Sequence, residues 1–199
     1  MMGRFVKTGR AQRGTMAIRK DFGFIGRLSL DFAQTGDMGW GERYERLTSP
    51  SELNRWFGLS ALQLPPVRIT NEDLSRARAL RSAIWRVADA VSKHERPRAD
   101  DIRHVNAAGR RPTLGRELSG QATSLDWHRP SLAAALATIA QDAILLLGDE
   151  AQRCRLRRCE NPGCRVLFYD DSRPGSRRWC AANRCGDRMR ARSYRARQR

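Results

Sequence analysis

The sequence lacks any long apolar stretch, since no run approaches the ~18 consecutive apolar residues of a membrane-spanning helix. Residues 1–20 are basic and contain neither an acidic residue nor the apolar segment of a secretory signal. Cysteine is absent from the first 153 positions. We therefore expect a cytoplasmic protein without a membrane partner, in which clustered cysteines bind metal rather than form disulfides.

Enzyme motifs are also missing. The only histidines, His94, His104 and His128, show no metal-ligand spacing, and there is no Walker, G-x-S-x-G or G-x-G-x-x-G motif. Asp31 lies inside the apolar run LSLDF, where burial could raise its pKa, although such a carboxylate is more often exposed on a strand or bonded to a backbone amide. We expect no catalytic residues and no enzyme. The alternative is a small-molecule-binding or enzymatic N-terminal domain.

The positive charge is concentrated at the two ends of the chain, which has a formal net charge of +17. Residues 1–20 hold six basic and no acidic residues, residues 21–152 hold 17 of each, and residues 153–199 hold 15 arginines and four acidic residues. This distribution indicates a polyanionic partner. We predict a flexible basic arm at 1–20, a sensing or dimerising domain at 21–150 and a C-terminal module at 151–199.

Apolar periodicity and capping signals predict the elements of the central domain. Ser49 and Thr70 are predicted helix N-caps, each followed three residues later by an acidic residue, as in a capping box. Helices are predicted at 50–57, 71–93, 99–108 and 131–147, and short strands within 22–33 and 111–128.

Four of the five cysteines form two matched pairs. Four residues separate Cys159 from Cys164 and Cys180 from Cys185, and 15 residues lie between the pairs. Two such pairs are typical of a tetrahedral zinc site, although two-residue gaps are commoner. We predict one structural zinc ion, held by all four thiolates, that supplies most of the folding energy of this short segment. The fifth cysteine, Cys154, is interpreted as a spare thiol.

The chain after Cys180 is rich in arginine and contains no proline, which favours a basic helix. Its arginines recur every three or four residues, so they share one helical face that suits phosphate contact and guanine reading. The predicted nucleic-acid-binding residues are Arg177, Arg178, Arg184, Arg188, Arg192 and Arg195, with Arg199 continuing the face. The fold class is thus α+β: a mostly helical N-terminal domain with a few short strands, then a small four-cysteine zinc module ending in a basic helix.

Two segments resemble known families. Cys159-x4-Cys164, LFYD, SRRWC, Cys185-Gly-x-Arg188 and the arginine-rich end resemble the CGNR zinc finger. Upstream, LSLDFAQT at 28–35 and RLTSPSELNRWF at 46–57 are similar to the start of the ABATE domain that usually precedes that finger. Asp187 stands where the finger has asparagine, and we interpret it as a local hydrogen-bonding residue near the zinc rather than a DNA contact.

The resemblance implies a bacterial, stress-linked transcription regulator whose zinc finger binds DNA. Together with the charge pattern, it predicts a nucleoid-associated regulator of double-stranded DNA. A single short reader indicates that specific binding needs a homodimer. An unknown small-molecule effector is expected for the N-terminal domain. An RNA-binding module is the alternative, since the basic segment suits RNA as well, although Trp179 and Tyr194 are its only candidates for base stacking.

Overall fold

The computed structural model describes residues 22–36, 38, 44–118, 120 and 122–198, so the predicted basic arm at 1–20 lies outside the described residues. The helices are α1 Leu28–Ala33, α2 Pro50–Leu59, α3 Asn71–Ser92, α4 Ala99–Gly109, α5 Leu132–Gly148, α6 Glu150–Arg153 and α7 Asp187–Arg197, the last entered through a π-helical turn, Ala182–Gly186. The antiparallel strand pairs are β1 Gly115–Leu118 with β2 Leu125–His128, and β3 Leu156–Arg158 with β4 Leu167–Tyr169. The predicted fold class is confirmed.

The helix starts follow the capping signals. Thr70 and Asp73 form a reciprocal capping box at the start of α3. At α2, the Ser49 side chain accepts a hydrogen bond from the Glu52 amide at 3.3 Å, but the Glu52 carboxylate binds Arg55 instead of completing the box. The predicted helices at 50–57, 71–93, 99–108 and 131–147 and the predicted short strands within 111–128 are all confirmed.

The predicted strands within 22–33 are wrong, because residues 28–33 form α1 and the described residues before it contain no strand. Arg27 at the N-cap position makes no side-chain cap. Instead, the Asp142 carboxylate of α5 accepts a hydrogen bond from the Ser29 amide at 2.9 Å. A helix end capped from 113 residues away leaves no local signal in the sequence.

The main core lies between α1, α2, α3, α4 and α5. Trp56 is fully buried and packs against Phe24, Phe32 and Phe57, with ring centroids 6.4, 5.0 and 5.5 Å away. Burying these aromatic rings contributes to the hydrophobic stabilisation of the domain. No helix among the described residues is both long and apolar enough to cross a membrane.

The zinc module (residues 151–199) packs directly against the helical domain. Strands β3 and β4 contact α1 and α3. One small apolar cluster joins the two parts, and we call it the seam cluster: Leu30 of α1, Ala88 of α3, Leu146 of α5, Leu156 of β3 and Leu167 of β4. The short C-terminal module is therefore stabilised by packing against the helical domain as well as by contacts within the module.

Candidate metal centre and basic helix

The four predicted ligands converge on one point. The metal-binding atoms of Cys159, Cys164, Cys180 and Cys185 all lie within 4.8 Å of one another. The Sγ atom of Cys180 is 3.8 Å from that of Cys164 and 3.7 Å from that of Cys185. A tetrahedral zinc with Zn–S bonds of about 2.3 Å has sulfur atoms roughly 3.8 Å apart, so the thiols fit this ion. The predicted structural zinc is confirmed.

Each pair of cysteines is held by a local turn. In the first, the Cys164 amide donates to the Asn161 carbonyl at 2.8 Å, and the Gly163 amide donates to the Asn161 side chain at 3.1 Å. In the second, the Cys185 amide donates to the Ala181 carbonyl at 3.1 Å at the start of the π-helical turn. These turns bring residues of one pair onto the same side of the chain, as tetrahedral coordination requires.

The two pairs are joined through the strands. The Cys159 amide donates to the Val166 carbonyl at 3.0 Å, and the Glu160 amide donates to the Arg178 carbonyl at 3.0 Å. The buried Val166 and Phe168 pack beside the thiols. Strand β4, which follows Cys164, thus pairs with β3, which precedes the first ligand. Together with the Glu160–Arg178 hydrogen bond, this strand pairing holds the two cysteine pairs next to each other.

The four thiols lie too close together for all of them to ionise without a bound cation. Hydrogen bonds from Cys164 and Cys180 lower the pKa of the Cys159 thiol. The same hydrogen bonding to Cys159 raises the pKa values of Cys164 and Cys180. One thiolate is thus favoured while further ionisation is opposed, and a divalent ion bound by all four is what allows them to ionise together. Zinc held by four sulfurs is typical of a structural site.

Cys154 does not join the cluster. It is exposed, and its thiol contacts the Ala151 carbonyl at 3.3 Å. His128 pairs with Glu117 on the β1–β2 hairpin. Among the described residues, no histidine belongs to the group that could hold a metal.

Asp31 is buried, and its Oδ1 accepts a hydrogen bond from the Ile25 amide at 2.5 Å. Burial raises its pKa to about 7, with a smaller contribution from the nearby Asp142, although hydrogen bonds from the Ile25 and Gly26 amides oppose the rise. Ile25 itself packs against both the seam cluster and the residues around the zinc thiols. Asp31 therefore holds a backbone segment that supports the zinc module.

Many arginines of the zinc module have structural partners. Arg155 donates to the carbonyls of Asp170 and Ser172, and Arg157 donates to that of Gly175. Arg158 pairs with Asp89 of α3 across the seam. Two predicted nucleic-acid-binding residues belong to this group: Arg177 donates to Asp171 and to the Cys180 carbonyl, and Arg178 donates to Glu160.

The other predicted contact residues lie in or just before α7. Arg184 is in the π-helical turn, next to the ligand Cys185, whereas Arg188, Arg192 and Arg195 are exposed along α7. No residue of α7 is buried, and none of these four arginines forms an ion pair with the described part of the chain. The predicted continuation of the face at Arg199 lies outside the described residues.

Asp187 interacts locally. Its carboxylate pairs with Arg190, whose guanidinium also donates to the Ala182 carbonyl at 3.4 Å. Gly186 occupies the N-cap position of α7, so this helix start has no side-chain cap. Gly186 lies between Arg190 and Trp179, since an added Cβ there would sit 3.3 and 3.5 Å from these side chains. This contact set links the zinc turn to the first turn of α7.

Sequence reasoning missed Asp170, which is fully buried in the turn between the cysteine pairs. Its carboxylate accepts hydrogen bonds from the Ser172 amide and hydroxyl, at 3.0 and 2.6 Å, and from the Arg177 amide at 2.8 Å. Burial alone would raise its pKa, but these hydrogen bonds outweigh that effect and lower it. The Asp-x-Ser spacing, which favours an Asx turn, was the available signal.

Comparison with known families agrees with this architecture. The ABATE family model, described as "Putative stress-induced transcription regulator", matches residues 26–150, and the CGNR zinc finger model matches residues 155–198. No curated protein matches the chain closely enough to count as similar. The ABATE match alone covers more than half of the 199 residues. The chain therefore belongs to the ABATE family and carries a zinc-binding CGNR finger after the ABATE domain.

Proposed function

We propose that this protein is a zinc-dependent transcription regulator that binds double-stranded DNA through α7. The observation that carries the proposal is the position of this helix. It begins two residues after the zinc ligand Cys185 and buries none of its residues. Arg188, Arg192 and Arg195 have no partner among the residues that the structure describes. Their spacing of four and three residues places them on one helical face, and arginine is suited to both phosphate contact and bidentate guanine reading.

Zinc would fix the orientation of this proposed DNA-binding helix relative to the rest of the module. Cys185 ties the π-helical turn to the other three thiols, so the first turn of α7 has a defined direction relative to the rest of the module. An anchored row of guanidinium groups loses less conformational freedom on binding than a free basic tail does. We further propose that the protein acts as a homodimer in the cytoplasm, associated with the nucleoid, and through binding alone, without a catalytic step.

The test is selection from a random duplex DNA pool with zinc-loaded protein at near-physiological salt. We expect an enriched motif with two half-sites and loss of enrichment for Cys180→Ser. The matched control is Cys154→Ser, which removes a thiol outside the cluster and should select the same motif. Binding without any enrichment would contradict a sequence-specific regulator, and an unchanged motif with Cys180→Ser would contradict the zinc-dependent one.

RNA binding is a second candidate because Tyr194 is 66% exposed on α7. An exposed aromatic ring among arginines can stack on an unpaired base. Trp179 is less available, since Arg178 stacks over its ring at 5.1 Å. Competition between duplex DNA and a structured RNA, repeated with Tyr194→Ala, separates the two. RNA as the stronger competitor, with an advantage that requires Tyr194, would favour the RNA function.

A further inference from the structure

An apolar pocket of about 250 Å³ lies between α3, α4 and α5. Val87 and Val91 of α3, Ile102 and Val105 of α4, and Ile144 and Leu147 of α5 line it. None of its lining residues is ionisable, which distinguishes it from the surface of a chain in which 30% of residues are charged. Ile102 is 40% exposed, so the apolar lining reaches the pocket mouth.

The pocket lining includes one residue with a polar side chain. Asn106 borders the pocket, and its side-chain amide has no hydrogen-bond partner within the described ranges. Predominantly apolar walls with a single free polar group are typical of small-molecule sites. The volume is below the ~300–1,000 Å³ of sites for drug-sized ligands, so the occupant must be smaller.

The pocket is continuous with the contact between the two parts of the chain. Val91 and Leu147 line the pocket and also pack against the seam cluster, which includes Leu156 and Leu167 of the zinc module. A molecule in the pocket would therefore touch side chains that support β3 and β4. Displacing water from apolar walls beside a packed cluster is favoured by the hydrophobic effect.

We propose that this apolar pocket binds a small, uncharged, mostly apolar molecule with one hydrogen-bonding group for Asn106, and that the bound molecule stabilises the contact between the ABATE domain and the zinc module. The site is separate from the proposed DNA-binding helix. The proposal does not depend on DNA binding, and its test uses no nucleic acid.

The test uses 2-naphthol as the probe and 2-naphthoate as its charged counterpart, with zinc-loaded, full-length protein and a calorimetric or fluorescence titration. We expect 2-naphthol to bind at least tenfold more tightly than 2-naphthoate, despite the positive charge of the protein, because the pocket has no cation to pair with the carboxylate. Equal binding of the two probes would overturn the proposal, since attraction to surface arginines would then explain it. A lack of 2-naphthol binding would also overturn it.

A substitution that fills part of the pocket tests whether the probe binds there. A Cβ added at Gly148, which lines the pocket, meets nothing within 4 Å, so the first atom of a larger side chain fits at this position without a clash. Gly148→Leu adds an apolar side chain at the pocket wall. We expect this variant to weaken 2-naphthol binding at least tenfold. The control Leu145→Ala changes a 60% exposed side chain on the same helix and should bind within twofold of wild type. Unchanged binding to Gly148→Leu would overturn the assignment.

Hydrogen exchange tests the link to the zinc module. We expect saturating 2-naphthol to slow exchange of β3 and β4 amides severalfold in wild type and to leave it unchanged in Gly148→Leu. Binding without protection of these strands would overturn the proposed coupling. Light scattering on the same samples checks the oligomeric state. A dimer that Gly148→Leu dissociates would show that a second copy covers the pocket, and this result would also overturn the small-molecule proposal.

Discussion

Fifteen arginines lie at residues 153–199. The structure describes all of these except Arg199, and it separates those with partners among the described residues from those without. The guanidinium groups of Arg155 and Arg157 hold the turn at 170–175 through carbonyl groups, and Arg158 crosses the seam to Asp89. The unpartnered ones are concentrated between 184 and 197. Net charge alone therefore overstates the charge available to a polyanion and does not indicate where that charge is available.

The contribution of single arginines can be measured on α7. Arg188→Ala should weaken binding to a selected DNA motif about tenfold or more and reduce the salt slope by roughly one, as expected for a lost phosphate or guanine contact. Arg188→Lys should preserve the salt slope and relax specificity if the contact is to a base, because lysine lacks the rigid planar fork of donors that arginine presents.

The matched control is Arg197→Ala. Arg197 lies nine residues further along α7, about half a turn around the helix axis from Arg188. Like Arg188, it has no partner within the described part of the chain. Its loss should change affinity much less than the loss of Arg188. Equal effects of the two substitutions would indicate a diffuse electrostatic tail rather than a reading face.

Asp31 gives the protein a distinctive pH dependence. Its native pKa of about 7 exceeds its ordinary value of 3.8, so the folded state binds the proton more tightly than the unfolded state. As the pH rises from about 4 to about 7, this carboxyl group ionises in the unfolded state but stays protonated in the folded state. The free energy of unfolding therefore falls by up to roughly 4 kcal/mol over this range and is level above it. Asp31→Asn keeps an oxygen acceptor for the Ile25 amide and lacks the ionisation.

Denaturant unfolding at pH 5, 6, 7 and 8 measures this effect. The stability of the Asp31→Asn variant relative to wild type should rise through this range. A constant difference would show that Asp31 titrates normally. The comparison with the variant is needed because Glu45, Asp89 and Asp101 have lowered pKa values and act in the opposite sense at more acidic pH.

At the scale of elements, the sequence predicted those whose signals are local. The side chains of Ser49 and Thr70 cap α2 and α3, as their sequence pattern predicted. Helix α5 was predicted from its apolar periodicity, and the Ser131 side chain caps it. Four cysteines in two pairs were likewise sufficient to predict the zinc site. Helix α1 was missed because its cap comes from Asp142, and a six-residue apolar segment has no resolvable period.

The zinc module should lose its fold without metal. Removing zinc by chelation, or replacing one ligand by Cys180→Ser, eliminates a binding energy that amounts to ~10–16 kcal/mol in small zinc-finger peptides. We expect amides of β4 and α7 to lose protection and disperse poorly in NMR spectra, while those of α3 and α5 remain protected by the main core. Cys154→Ser should retain one zinc per chain and native spectra. Persistence of the β3–β4 pairing in the zinc-free protein would contradict this expectation.

At the scale of the whole molecule, the two family segments form a continuous structure. Asp89 of α3 binds Lys93 on its own helix and Arg158 on β3. Burial alone would raise its pKa, but hydrogen bonds from Lys93 and Arg158 lower it. The sequence could not predict this contact, since its polar partners lie 69 residues apart and the apolar residues of the seam cluster follow no shared pattern.

The seam can be weakened selectively. Asp89→Ala leaves Arg158 partly buried without its carboxylate and should cost roughly 1–3 kcal/mol. Glu160→Ala is the control, since its pair with Arg178 is largely exposed and such pairs contribute less than about 1 kcal/mol. Chemical denaturation monitored separately at Trp56 and Trp179 should show the zinc module unfolding earlier only in Asp89→Ala. Coincident transitions in that variant would show that the ion pair is not needed to couple the two parts.

The docking of β3 and β4 over Leu30, Ala88 and Leu146 also has a consequence for synthesis in the cell. A ribosome releases the helical domain first, so these apolar side chains remain uncovered until the last strands emerge and take up metal. When zinc is scarce, the new chain keeps an exposed apolar surface that proteases and chaperones recognise. The abundance of the protein should therefore follow the supply of zinc, even where transcription of its gene is constant.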